Sequence, residues 1–260
     1  MTEGSDFLRF LIIAAISTAR MLACFTILPF LGGNILPPYI RNALVFAIFV
    51  VTYPFVASSA PAHISYLQGF ILLMKEVLVG LIMGFIVGLL FWSAEIVGFL
   101  VDNQRGSSMA SALDPLYGES SSPLGVLLLQ MVTALFFATG GFLVFLDGVF
   151  ESYQFWPVFE FFPPIESLSP LFFLDKVDQL MRASLLLAAP FLIVIFIVDL
   201  ALGVVNRFVP QLNVFFLSMP VKSGIASFLF VLYLTIIVSY YIETGKGVSG
   251  VIHVLKELIK

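Results

Sequence analysis

The chain has 260 residues, of which 60% are hydrophobic, 15% aromatic and only 11% charged, and its mean hydropathy is +1.10. Soluble domains carry roughly 45–50% apolar and about 25% charged residues. A water-soluble globule of this length could not bury so much apolar surface, so lipid or partner proteins must cover it. The net charge of −4 gives no basic field for nucleic acid, and the lone Cys24 excludes an intrachain disulfide.

About six long apolar segments follow one another along the chain. They cover Phe7–Leu31, Asn42–Val56, Phe70–Leu100, Val126–Leu146, Ala183–Val205 and Leu212–Ile242. A membrane span needs about 20 apolar residues, so the second segment is short and the third exceeds one span. The acidic start, MTEGSDFLRF, is unlike the basic start of a cleavable signal peptide, so we expect the first segment to be retained. Lysines and arginines favour neither set of loops strongly, so they assign no orientation.

Helix breakers and small residues recur within these segments. Pro29, Pro54, Pro190 and Pro220 each remove a backbone donor, which predicts kinks or helix ends. In lipid the freed carbonyl groups need protein partners, so close neighbours are expected there. An ordinary membrane helix with a tolerated proline remains the alternative for each.

Three glycines, Gly80, Gly84 and Gly88, recur every fourth residue in the third segment. At helical spacing they share one face and let another backbone approach closely. The pattern predicts helix packing, either within the chain or against another subunit.

Among the ionisable residues in or beside apolar segments, the candidates for a role are Arg20, Glu95, Asp199 and Arg207. Charges in hydrocarbon are costly and usually face protein or water. They predict either structural pairs, such as Asp199 with Arg207 or Arg20 with a carboxylate, or a proton or ion relay.

Catalytic patterns are missing from the sequence. The two histidines, His63 and His253, have no metal-ligand spacing with Cys24 or a carboxylate. The sequence contains neither a nucleophile elbow nor a phosphate-binding glycine loop. We therefore predict a protein that is not an enzyme and that uses no metal or cofactor.

A polar stretch, VDNQRGSSMASALDPLYGESSSPLG, interrupts the apolar chain from Val101 to Gly125. Its glycines and serines have low helix propensity, and Pro115 disfavours helix at Asp114. Non-helical backbone at membrane depth is tolerated only when it is buried in protein or lines a water-filled path. The stretch is therefore a solvated connector or a constriction inside a conduit, and composition alone favours the connector.

A second stretch of different composition covers residues 151–181, ESYQFWPVFEFFPPIESLSPLFFLDKVDQLM, in which aromatic residues alternate with prolines and acidic residues. Tryptophan and tyrosine suit an interface between lipid and water, and Pro163–Pro164 forbids a continuous helix. We expect an aromatic, proline-rich connection on a surface, and a C-terminal tail over residues 243–260.

Three stretches together resemble one family. The first is VDNQRGSSMASALDP, followed by a Ser-rich turn and an apolar run that reaches FFATGG. The second is VDLALGVVNRFVPQLNVFFLSMPVKSG, and the third, near the N-terminus, is ARMLACFTILPFLGGNILPPYIRNAL. In this order and spacing they are similar to the SctT/FliR family of type III secretion export-apparatus proteins. The form NVFFLSMPVKS resembles the injectisome branch more than the flagellar one.

The resemblance implies an all-α membrane-associated fold, with residues 1–260 as one domain of kinked helical hairpins in a helical, multi-subunit export gate. It implies SctR, SctS, SctU and SctV type partners, unfolded polypeptides as substrates, and no nucleic acid. The location implied is the bacterial inner membrane, projecting to the periplasmic side within the basal body. A small transporter or ion channel using Glu95, Asp199 and Arg207, a flagellar counterpart, and a scaffold without a lumen are the alternatives.

The resemblance also places residues 102–125 in the lumen as a plug, in place of a plain connector. The plug residues are Asp102, Arg105, Gly106, Ser107, Ser108, Met109, Ser111, Leu113, Asp114, Pro115, Leu116 and Gly118. Residues expected to pack helices or subunits together are Gly80, Gly84, Gly88, Arg20, Glu95, Asp199, Asn206, Arg207, Pro210 and Lys222.

Overall fold

The computed structural model describes residues 2–31, 37–61, 65–107, 122–161, 170–211 and 213–246, which form seven α-helices and no strand. The helices are α1 (Thr2–Ile27), α2 (Pro38–Ser58), α3 (Tyr66–Arg105), α4 (Pro123–Ala138), α5 (Gly141–Phe155), α6 (Pro170–Phe208) and α7 (Val214–Lys246). The all-α prediction is confirmed.

Five helices, α1, α2, α3, α6 and α7, are long and apolar enough to cross a membrane, and α4 with α5 would make a sixth, broken span. The second apolar segment reaches this length because α2 starts earlier, at Pro38, where a proline in the first turn loses no helical hydrogen bond. With 40 residues, α3 is ~60 Å long, about twice the thickness of a bilayer's hydrocarbon core.

The apolar segment Val126–Leu146 is divided between two helices. The helix ends at Ala138, and a new one begins at Gly141, because Gly140 adopts a left-handed φ of 78°. Of the four prolines, Pro29 follows the end of α1, whereas Pro54, Pro190 and Pro220 lie inside helices. The 151–181 stretch is helical at both ends, so the described part outside helices is residues 156–161.

The chain divides into two compact units, and α3 contributes to both. Unit 1 comprises residues 1–89, 140–174 and 246–260. In it α1 packs on α2, with the Phe10 and Tyr53 rings edge to face at 5.2 Å. The backbones of α1 and α3 approach closely, since a Cβ on Gly80 would strike the Arg20 carbonyl and one on Gly84 would strike Cys24 and Ile27. Gly88 is also buried.

Unit 2 comprises residues 90–139 and 175–245, that is, the end of α3 with α4 and most of α6 and α7. Its core contains Phe91, whose ring meets that of Phe136 edge to face at 5.2 Å, and Phe191, which meets Tyr233 at 5.7 Å. The first pair joins α3 to α4, and the second joins α6 to α7.

Candidate functional site

The polar stretch leaves α3 through a tight turn. Gly106 has a left-handed φ of 87°, and its N–H donates to the Asn103 carbonyl at 3.1 Å. The backbone N–H and hydroxyl of Ser107 both donate to the Asp102 carbonyl, at 3.0 and 3.1 Å. This is the arrangement in which a glycine just past the last helical residue satisfies the free carbonyls at the helix end. The start of the stretch is therefore fixed to α3.

The other end of the stretch is fixed to α4. Ser122 is the N-cap residue, and its hydroxyl oxygen accepts a hydrogen bond from the Gly125 N–H at 2.9 Å. Pro123 occupies the first turn, where proline is favoured. Both features stop the helix from extending back into the stretch.

The carboxylate of Asp102 connects the two ends. Its Oδ2 atom accepts hydrogen bonds from the Ser122 hydroxyl at 2.7 Å and from the Leu124 N–H at 2.9 Å, and its Oδ1 atom lies 2.5 Å from Nη2 of Arg105. The Asp102 side chain is only 3% exposed. A carboxylate at a helix N-terminus also interacts favourably with the helix dipole. We call Asp102, Arg105, Ser107, Ser122 and Leu124 the loop base.

Two glycines bring the helices of the loop base together. A Cβ on Gly98 of α3 would collide with the backbone of Leu124 and Gly125 in α4. A Cβ on Gly125 would in turn meet the Ser122 hydroxyl at 2.8 Å and the Glu95 carbonyl oxygen at 3.0 Å. Backbone thus packs on backbone next to Asp102, so α4 has little room to shift along α3.

A polar cleft of about 450 Å³ lies beside the loop base, between the end of α3 and residues of α6 and α7. Lys222 forms an ion pair with Asp199 and donates to the Gln104 carbonyl at 3.4 Å. Asn206 also lines the cleft. The ion pair predicted between Asp199 and Arg207 is wrong: eight residues separate the two by about 12 Å along a helix, whereas Lys222 of α7 reaches Asp199.

Apart from those in the cleft and at the contact of α1 with α3, the predicted site residues fall into three groups. Asp102, Arg105, Gly106 and Ser107 belong to the turn just described. Ser108, Met109, Ser111, Leu113, Asp114, Pro115, Leu116 and Gly118 lie outside the described residues. Glu95, Arg207 and Pro210 are exposed.

A second polar cluster, in unit 1, was not among the predicted sites except for Arg20. The Arg20 guanidinium of α1 forms a two-pronged ion pair with Glu76 of α3, at 2.7 and 2.9 Å. Both side chains are fully buried. Arg20 also donates to the Ser152 hydroxyl at 2.9 Å and the Trp156 carbonyl at 3.0 Å, and its guanidinium lies 4.3 Å from the centre of the Tyr153 ring.

Lys75 adds a second cation to this cluster. Its Nζ atom lies 2.9 Å from Glu76 and donates to three backbone carbonyls, those of Pro157, Val158 and Glu160, at 2.8 to 3.0 Å. These carbonyls follow the C-terminal end of α5, where cations are stabilised by the helix dipole and the free carbonyls. The adjacent Lys75 and Glu76 inside an apolar run are the signal by which the sequence could have indicated the cluster.

The comparisons with known proteins agree with these observations. Residues 11–246 match the family described as bacterial export proteins, family 1. The chain is 41% identical over 215 residues to the Yop proteins translocation protein T of Yersinia pestis, which covers 82% of each chain. It is 33% identical over 221 residues to the surface presentation of antigens protein SpaR of Salmonella typhimurium, over 85% of this chain and 82% of that protein.

A flagellar protein is also similar. The flagellar biosynthetic protein FliR of Bacillus subtilis is 30% identical over 220 residues, 84% of each chain. The chain therefore belongs to family 1 of the bacterial export proteins, the SctT/FliR family of type III secretion export-apparatus subunits, which confirms the resemblance seen in its sequence.

Proposed function

We propose that the chain is a non-enzymatic subunit of an injectisome-type export gate in the bacterial inner membrane, and that residues 102–125 plug the conduit it helps to form. The gate would pass unfolded polypeptides and would include SctR, SctS, SctU and SctV type proteins. The injectisome branch is supported by 41% identity to a Yop translocation protein, against 30% to the flagellar FliR.

The loop base is the observation that carries the plug proposal. Asp102 contacts both Ser107 and Ser122, so the polar stretch leaves and returns at a single point. A loop held in this way can fill a narrow space without shifting the helices that carry it. Its serines and glycines suit close packing, and Met109, Leu113 and Leu116 are the few apolar side chains that would hold it closed.

Exposed apolar side chains support membership of a larger assembly. Large side chains on α6 and α7, including Leu186, Phe208, Phe216 and Val231, are between 65% and 78% exposed. In a membrane protein such surface meets lipid or neighbouring subunits. We propose that sister subunits of the gate cover part of it.

The plug role is tested by replacing residues 108–121 with a four-residue Gly-Ser linker. Such a linker spans up to ~14 Å and joins Ser107 to Ser122, so the loop base is kept. We expect ion leakage through the purified, liposome-reconstituted assembly to rise at least about tenfold, the effect of lowering a barrier by ~1.4 kcal/mol. A matched control replaces Ser108 and Ser111 with alanine. Unchanged leakage in a variant that still assembles would contradict the plug role.

The charged residues of unit 2 distinguish the gate from an ion transporter. Replacing Asp199 by asparagine is expected to reduce stability by at most about 1 kcal/mol, because the pair with Lys222 is partly exposed to solvent. Polypeptide export should then remain near the wild-type level, measured as secreted substrate in culture supernatants. Loss of export with normal assembly would instead indicate that Asp199 acts directly in transport.

A further inference from the structure

We propose that Asp102 is the positioning residue of the gate: its single carboxylate holds both ends of the polar loop at one place on α3. This inference rests on the proposed plug function and goes one step further, because it assigns the location of the plug to a residue outside the loop's centre. Asp102 acts through the helices it joins, and no contact with an exported polypeptide is needed.

The carboxylate is shared between the two ends of the loop. Oδ1 faces Arg105 on α3, whereas Oδ2 receives both of its hydrogen bonds from the α4 side, from Ser122 and Leu124. Hydrogen bonds to an ionised group are stronger than those between neutral groups. A buried carboxylate without these partners would be costly, so the charge itself favours the joined arrangement.

The two helix ends depend on the same residue. The Asp102 backbone carbonyl accepts hydrogen bonds from the Ser107 N–H and hydroxyl at the end of α3, while its side chain accepts one from the Leu124 N–H in the first turn of α4. The crossing of Gly98 over Gly125 brings the two backbones together about one turn away. Without the carboxylate, the first turn of α4 would lose its extra cap, and the end of the loop could move away from its start.

The experiment compares Asp102→Ala with Ser122→Ala and with a control, Asp178→Ala, in the complete purified assembly. Asp178 is an exposed carboxylate of α6 paired with Arg182. We expect hydrogen–deuterium exchange at Leu124, whose N–H donates to the Asp102 carboxylate, to become about tenfold or more faster in Asp102→Ala, since hydrogen bonds to charged groups are worth at least that factor. Ser122→Ala, which keeps the carboxylate, should show a smaller increase and Asp178→Ala none.

A rescue variant separates positioning from a general loss of stability. In Asp102→Ser combined with Ser122→Asp the carboxylate moves to the N-cap position, where aspartate is favoured, and the two residues can still form a hydrogen bond. We expect slow exchange in α4 and low ion leakage to return in this double variant, whereas Asp102→Ala alone leaks. If the double variant stays as fast and as leaky as Asp102→Ala, the positioning role is wrong.

The outcomes also separate this inference from the plug function. If the loop replacement leaks and Asp102→Ala neither leaks nor speeds exchange, the plug stands and the role of Asp102 is overturned. If Asp102→Ala speeds exchange in α4 while neither it nor the loop replacement leaks, Asp102 positions the loop but the loop is not a plug. Should Asp102→Ala fail to assemble, Ser122→Ala carries the same comparison.

Discussion

Replacing Glu76 with glutamine is expected to lower the free energy of unfolding by about 3–5 kcal/mol. Glu76 is the one carboxylate that faces both Arg20 and Lys75 in the described cluster, and its side chain is fully buried. The variant keeps the size of the side chain but leaves two buried cations with only neutral partners. Because the pair joins α1 to α3, and Arg20 also donates to Ser152 of α5, unit 1 should lose its packing as a whole.

The purified assembly is unfolded with denaturant, and the loss of helix is followed by circular dichroism. The quantity compared between variants is the denaturant concentration at the midpoint of unfolding. Asp178→Asn is the matched control, since its pair with Arg182 is made by side chains that are 58% and 76% exposed. An exposed pair of this kind contributes about 0–1 kcal/mol. Similar midpoints for Glu76→Gln and Asp178→Asn would show that the buried pair does not stabilise unit 1.

The second large effect is expected for Gly98→Ala in α3. The added Cβ would overlap backbone atoms of Leu124 and Gly125, and backbone cannot move aside as a flexible side chain can. Forcing a methyl group into a packed site typically costs about 1–3 kcal/mol. This outweighs the gain of about 1 kcal/mol that alanine gives over glycine inside a helix. The variant should also speed hydrogen–deuterium exchange in the first turn of α4.

Gly224→Ala in α7 is the control for helix propensity, because nothing lies within 4 Å of the position its Cβ would take. We expect this variant to be as stable as the wild type or slightly more so. Thermal unfolding of the two purified variants gives the comparison. Gly98→Ala with wild-type stability would mean that α3 and α4 can separate at no cost, against the arrangement of the loop base.

Apolar pattern and local turn chemistry accounted for much of the fold. Runs of apolar residues located the long helices, and Gly80 and Gly84, spaced four apart, do lie where α1 and α3 approach each other. The pattern missed the break at Gly140, because glycine and threonine in an apolar run do not reveal that the backbone takes a left-handed turn there. It also missed the first residues of α2, since Pro37 and Pro38 look like a boundary.

By itself, the sequence determined that this is an all-helical membrane protein, because composition and apolar pattern are properties of neighbouring residues, and three of its stretches resemble the SctT/FliR family. Only the tertiary structure decided which partner each charged side chain meets: Arg20 meets Glu76, Asp199 meets Lys222, and Asp102 meets the Ser122 hydroxyl. Residues far apart in the chain form these pairs, and a buried charge can be matched by a side chain, a carbonyl or a helix end. Which of these it finds depends on how the helices pack.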